Sequence, residues 1–162
     1  MALDFDALDH NYFMREALKE ATLASQHNHR PIGAVIVHSG QIVGRGHAQH
    51  QASQSKIAHA EMRALTQAAP YIYALKEASH DCVIYSTLEP CVMCLGAIVM
   101  SDIDHLVYAM PDRWINPQQM FAVDYVKRHL QHYVGGILAA ESTALWEQVN
   151  PEELRMIREG IR

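Results

Sequence analysis

Asp81-Cys82-Val83-Ile84-Tyr85-Ser86-Thr87-Leu88-Glu89-Pro90-Cys91-Val92-Met93-Cys94 passes from an apolar run through a turn into a helix. Asp81 to Ser86 has the β-branched and aromatic content of a buried strand, with Cys82, Ile84 and Ser86 on one face. Thr87 to Pro90 is the turn, and Pro90 suits the start of a helix, where its missing N–H would be unpaired in any residue. Cys91 to Ser101 then reads as an apolar, buried helix with Cys91 and Cys94 at i and i+3 on one face. A strand that feeds a helix in this way is the repeating step of an α/β fold.

Upstream, Asp9 to Gln26 has apolar positions at helical spacing with Asp9 as the cap, and His27 to Pro31 breaks it. Ile32 to Val37 is a second buried strand, Ser39-Gly40 a hairpin turn, and Gln41 to His47 the returning strand. His50 to Lys56 is an exposed polar loop that delivers the chain to a helix over Ala58 to Ala69, ended by Pro70. His59, Ala60 and Glu61 fall in its first turn, and Tyr71 to Ala78 is a helical or irregular linker.

Downstream, His105 to Ala109 is a fourth strand and Pro111 to Gln119 a loop. Met120 to Leu130 leans helical, Gln131 to Gly135 is a short fifth strand, and Ala139 to Gly160 is a closing helix interrupted near Asn150-Pro151. The order predicts a three-layer α/β/α sandwich on a mixed five-stranded sheet, antiparallel at the first hairpin and parallel afterwards. No repeat or low-complexity tract divides the chain, so residues 1–162 are expected to form one domain.

The 162 residues are 49% hydrophobic and 19% charged, which excludes disordered and fibrous classes. With 13 basic against 18 acidic residues the net charge is −5, so bulk electrostatics draw the chain to no phosphate backbone, although a local basic patch is compatible with it. Three cysteines, two in C-x-x-C, suit a reducing cytoplasm rather than a disulfide scaffold. Met1 to Asp9 lacks the basic and apolar regions of a signal peptide, and no apolar run approaches the ~18 residues of a membrane span.

Two helix N-termini thus carry His59, Cys91 and Cys94, where unpaired N–H groups and the helix dipole favour thiolates. One imidazole and two thiolates leave a fourth coordination position open, which is the pattern of a catalytic rather than a structural zinc site. Iron shares these ligands, and a C-x-x-C after a strand also suits a redox pair. A zinc-ribbon module fails for want of a fourth ligand near these three. Glu61, two residues after His59, is rotated from it by about 200° on a helix, so it stands beside the metal as a proton shuttle rather than as a ligand. Taken singly, His59 reads as a capping histidine and Glu61 as a solvated carboxylate; together with the two cysteines they form a hydrolytic site. Of the other histidines, only His29 and His47 flank the site, and Cys82 reads as a small buried hydrophobe.

At these residues the chain resembles the cytidine deaminase superfamily of zinc hydrolases, whose signature is H-x-E with P-C-x-x-C. His59-Ala60-Glu61 and Pro90 to Cys94 match it completely, Thr87-Leu88-Glu89 and Leu95 to Ile98 extend it, and the likeness is best from Pro31 to Ala109. Within the superfamily the nearest branch holds guanine, cytosine and tRNA adenosine deaminases. The resemblance implies one zinc ion per chain on His59, Cys91 and Cys94, with Glu61 as the catalytic shuttle. It implies further that Ala60, Leu88 and Glu89 orient the substrate through their backbone, that Ile32 and Gly33 form a pocket wall, and that the protein is a cytoplasmic homodimer. One departure stands out: the branch commonly carries an asparagine after the second strand that bonds the purine, whereas Gly46-His47-Ala48-Gln49 stands here. Substrate contacts are then expected from His47 or Gln49 and from the loop with Asp112, Arg113, Trp114 and Asn116, with Trp114 reading equally well as a core anchor for that loop. The reading is hydrolytic deamination of a nucleobase, nucleoside or similar small amino-heterocycle. The alternatives are A-to-I editing of tRNA, weakened by the acidic balance and by only three Arg and no Lys in Arg155 to Arg162, and a non-catalytic zinc-bound scaffold or partner subunit, which intact Glu61 argues against.

Overall fold

The computed structural model describes residues 3–161; residues 1, 2 and 162 of the expected domain lie outside them. Helices α1 (His10–Gln26), α2 (Ala60–Leu75), α3 (Val92–Met100), α4 (Asp124–His129), α5 (Ala139–Val149) and α6 (Pro151–Glu159) surround five strands. These are β1 (Gly33–His38), β2 (Gln41–His47), β3 (Val83–Leu88), β4 (His105–Met110) and β5 (His132–Val134), in the sheet order β2-β1-β3-β4-β5. The mixed five-stranded α/β architecture is therefore the expected one.

Alternation along the strands divides the core into two layers. Ala34, Ile36, Ile84 and Leu106 face Leu65, Ala68, Leu95 and Ile98 of α2 and α3. Val35, Val37, Tyr85 and Val107 face Phe13, Met14 and Ala17 of α1. Asp9 caps α1 by accepting the Tyr12 N–H at 2.9 Å, and the Ser39-Gly40 turn takes positive φ at both residues (49° and 73°), as a tight hairpin requires.

Several boundaries differ from the sequence expectation. Pro70 lies inside α2 instead of ending it, on the exposed face. The apolar stripe of Leu65, Ala68 and Ile72 carries the helix past the missing hydrogen bond, an interruption worth about 3 kcal/mol in an unsupported helix. The sheet is not parallel after the first hairpin: β1 pairs antiparallel with β3 as well as with β2, and only β3–β4 and β4–β5 are parallel. Strand β3 runs on through Thr87 and Leu88, because Leu88 still pairs with Met110. Pro117–Ala122, at the end of the expected loop, forms a 3-10 turn before the short α4.

Candidate metal centre and cavity

The start of α2 is seated by the absence of side chains beneath it. At Gly46 of β2 a Cβ would lie 2.3 Å from the Ala60 carbonyl oxygen and 2.5 Å from the Ala64 nitrogen, so only glycine lets the helix come this close. His59 is the extended N-cap residue of α2 (φ −74°, ψ 156°), one position outside the helix. Cys91 is likewise the extended N-cap of α3 (φ −66°, ψ 173°), with Cys94 in the first turn. The C-terminal end of β3 aims α3 at α2, and the two helix starts meet.

There the ligand atoms of His59, Cys91 and Cys94 lie within 4.8 Å of one another, the only such cluster among the described residues. His59 Nδ1 stands 3.6 Å from Cys91 Sγ. Bond lengths of about 2.0–2.1 Å to nitrogen and 2.3 Å to sulfur place the N and S vertices of a zinc tetrahedron ~3.5 Å apart, so the corner fits the ion. Of the three ligands only Cys91 is biased toward its metal-binding form, and an ion would displace the protons of the other two. The hydrogen bond with Cys94 holds the Cys91 thiol down to about 4, and the same partnership, with burial, pushes Cys94 up. The Cys91 thiolate in turn raises His59 through their hydrogen bond.

Glu61 is not part of the cluster. It is buried, its Oε1 accepts the Ser86 Oγ–H at 2.9 Å, and burial pushes its carboxyl above the usual range. Ser86 is the polar residue on the face that Cys82 and Ile84 share. Cys82 itself packs in the core, where burial raises its thiol to about 12 and keeps it inert.

Beside the corner lies a cavity of about 190 Å³ lined by Ile32, His59, Glu61, Leu88, Glu89 and Cys91, with Asp112, Trp114, Arg30, Trp146, Glu153 and Ile157 on its other walls. Of the expected contacts, Ile32, Leu88, Glu89, Asp112 and Trp114 are thus brought together. Gly33 is not: its Cβ position faces Ala17 and Ala21 of α1, and its N–H donates to Thr87 Oγ1. His47 is not either, because its Nδ1 meets Glu20 Oε2 at 3.0 Å and its Nε2 meets Gln49 Nε2 at 2.8 Å, so neither side chain replaces the missing asparagine. Ala48 is fully buried with its N–H on the Ile32 carbonyl, and Ala60 is buried below Gly46. The Glu89 N–H is spent on the Met110 carbonyl. Arg113 donates its backbone N–H to Ile157 and borders a different groove, while Asn116 is exposed. His29 is buried in a polar groove shared with Arg30, His50 and Glu153.

The loop over the cavity is held by Glu89. Its carboxylate accepts Tyr133 OH at 2.5 Å, the Asp112 N–H at 2.9 Å and Gln118 Nε2 at 3.3 Å, while Asp112 Oδ1 accepts the Trp114 and Ile115 N–H groups. Sequence reasoning missed Arg30, Trp146, Glu153 and Ile157. Arg30 Nε donates to Glu153 Oε1 at 2.6 Å across the exposed rim. The helical spacing of Glu153 and Ile157 was the only available signal. Two buried side-chain nitrogens lack a protein partner among the described residues, His50 Nε2 and Trp146 Nε1, and both border this region. An unpaired buried polar group costs about 1–3 kcal/mol.

An open three-ligand metal corner, a buried carboxylate and an adjoining ring-sized cavity on this sheet define a zinc-dependent hydrolase of the deaminase class. The family model for the cytidine and deoxycytidylate deaminase zinc-binding region matches residues 8–110, and the chain belongs to that family. A tRNA-specific adenosine deaminase of Streptococcus pyogenes is 38% identical over 136 residues, 82% of this chain and 84% of that one. A solved structure from work on A-to-I editing by tRNA:A34 deaminases superposes with a TM-score of 0.69 at 29% identity, covering 84% of this chain and 99% of that chain. Guanine deaminase from Bacillus subtilis superposes with a TM-score of 0.56 at 31% identity, covering 65% and 66%. The protein is a hydrolytic deaminase of C–N bonds, and none of its described helices is long and apolar enough to cross a membrane.

Proposed function

We propose that the protein deaminates a free nucleobase or a similarly small amino-heterocycle. The observation that carries this reading is the cavity: about 190 Å³, backed by Trp146 and Ile157 and rimmed by the Arg30–Glu153 ion pair. Its ionisable walls beyond the corner are Glu89, Asp112 and Glu153 against Arg30, so it suits a neutral ring bearing N–H donors better than a phosphodiester. The acidic net charge points the same way.

In the reaction a ring C–NH₂ and water give a ring C=O and ammonia. A C–O bond forms, the C–N bond breaks, and Glu61 carries a water proton to the departing nitrogen. Ser86 holds Glu61 Oε1 in place, and Leu88 and Trp114 exclude water around the ring. His59, Cys91 and Cys94 would hold a zinc ion, which would supply Lewis acidity able to lower the pKa of water to about 7.

A second reading, deamination of adenosine in tRNA, is favoured by the 38% identity to the streptococcal enzyme. Ammonia release measured with guanine, cytosine, adenine, their nucleosides, aminated triazines and pterins, and an adenosine-containing anticodon stem-loop decides between them. Turnover of a free ring supports the first reading; turnover of the stem-loop alone overturns it. The same reading includes one domain over residues 1–162, a cytoplasmic location and a homodimer, which light scattering checks at twice the chain mass.

A further inference from the structure

Phe5 sits in a slot made by three histidines, at the end of the sheet away from the metal corner. Its ring stacks on His132, with centroids 3.9 Å and planes 7° apart, and tilts against His10 at 4.6 Å and His105 at 5.7 Å. His105 and His132 open β4 and β5 in register with Val83, whereas the corner follows Leu88 at the other end of β3. Little else holds residues 3–9. The Leu3 N–H reaches Asp81 Oδ1 at 3.4 Å, and the other backbone N–H bonds made by the segment stay within it or reach the start of α1. Phe5 itself is buried against Phe13, Met14 and Tyr85.

The slot holds fewer protons than its histidines would bind in water. His105 Nδ1 and His132 Nδ1 stand 2.7 Å apart, so one donates, the other accepts, and a single proton fills the gap. A second proton would set two donors and two charges face to face. His10 Nδ1 meets the Tyr85 hydroxyl at 2.9 Å, and burial keeps that phenol protonated. Burial also lowers His10 and His105 from the ordinary 6.5. It outweighs the nearby carboxylates, Asp6 and Asp9 at His10 and Asp81 and Asp104 at His105, and Asp104 is already bonded to His80 and Gln131. We propose that residues 3–9 form an acid-released strap: the His105–His132 pair keeps Phe5 seated while it shares one proton, and a second proton unseats it. Above 6.5 the histidines are neutral whether the strap is closed or open, and it stays closed. As pH falls below 6.5, the open state binds protons that the closed slot excludes, so it gains about tenfold per pH unit for each excluded proton. Release uncovers the Phe13 and Tyr85 side of the core and leaves the corner at the far end of β3 in place.

The test is ¹⁹F NMR of the zinc-loaded full chain carrying 4-fluorophenylalanine, whose signals come from Phe5, Phe13 and Phe121, with Phe5→Leu assigning the first. Between about pH 7.5 and about pH 5.5, the range in which a free histidine changes charge, the Phe5 signal moves from its buried to a solvent-exposed position while that of Phe121 stays. In His105→Asn the movement is absent, because the amide donates to a neutral His132 and accepts from a charged one. Zinc lost at the lower pH acts on both proteins alike, so the difference between them belongs to the strap. A wild-type Phe5 signal that stays put, or one that moves equally in His105→Asn, overturns the proposal. Should the variant fail to fold, ring ¹H–¹⁵N spectra of the wild-type protein decide. Entry of the pair's second proton together with the Phe5 shift supports the strap, and independent titration of His105 and His132 near 6.5 with Phe5 still seated overturns it.

Discussion

The metal corner and the walls of the cavity beside it are made by opposite means. The corner lies within residues 31–110 and depends on backbone: two helix N-caps, a glycine floor at Gly46 and the end of β3 place His59, Cys91, Cys94 and Glu61. The far wall is made by side chains that meet only after folding, Arg30 with Glu153 and Trp114 with Trp146 and Ile157. On the proposed reading the first sets the chemistry and the second the choice of substrate. A substitution in one should therefore leave the other's observable intact.

The sharpest way to break that division is Cys94→Ala. Cys94 is fully buried at the corner, so zinc content and ammonia release should both fall to background, whereas Glu153→Gln should keep zinc at one per chain and change KM. Zinc lost from Glu153→Gln would end the division. Next, Glu61→Gln should keep zinc and lower turnover by about 10²–10⁴-fold, the range for general acid–base groups. Glu89→Gln tests the seam between the regions. It weakens three hydrogen bonds to a buried carboxylate, so the protein should lose about 1–3 kcal/mol in chemical denaturation and bind its ring less tightly. An unchanged KM would mean that the 110–118 loop does not depend on this anchor.

The smallest effect lies outside both regions, at the ion pairs of Glu16. Hydrogen bonds from Lys19 and Arg45 hold the Glu16 carboxyl below its ordinary 4.5. Its contribution is therefore present above that value and is lost as pH falls through the lowered one. Because Arg45 is 38% exposed, the loss is expected to be about 0.2–1 kcal/mol, absent in Glu16→Gln, when unfolding is compared at pH 6 and pH 3.

The corner was legible because its signals are local. A strand, a turn and C-x-x-C share one stretch, and H-x-E opens a helix, so residue types and spacing carry the geometry. The partners of the strands were less so. Nothing local tells β1 that its second neighbour is antiparallel β3, and Pro70 ends α2 by local rules that burial of Ile72 overrides. The far wall was least legible. Trp146 reads as one more apolar residue of a closing helix, and Arg30 as part of a break, until folding joins Arg30 to Glu153, 123 positions further along the chain, in an ion pair. His47 illustrates the converse: it sits near the site in sequence and turns away to Glu20.

X-ray absorption at the zinc edge of the purified protein tests the central claim most directly. The account predicts one zinc per chain bound by two sulfurs at about 2.3 Å, one nitrogen at about 2.0–2.1 Å and a light oxygen ligand at the open position. A closed shell, with a further histidine such as His50 or a third sulfur in place of that oxygen, would contradict it.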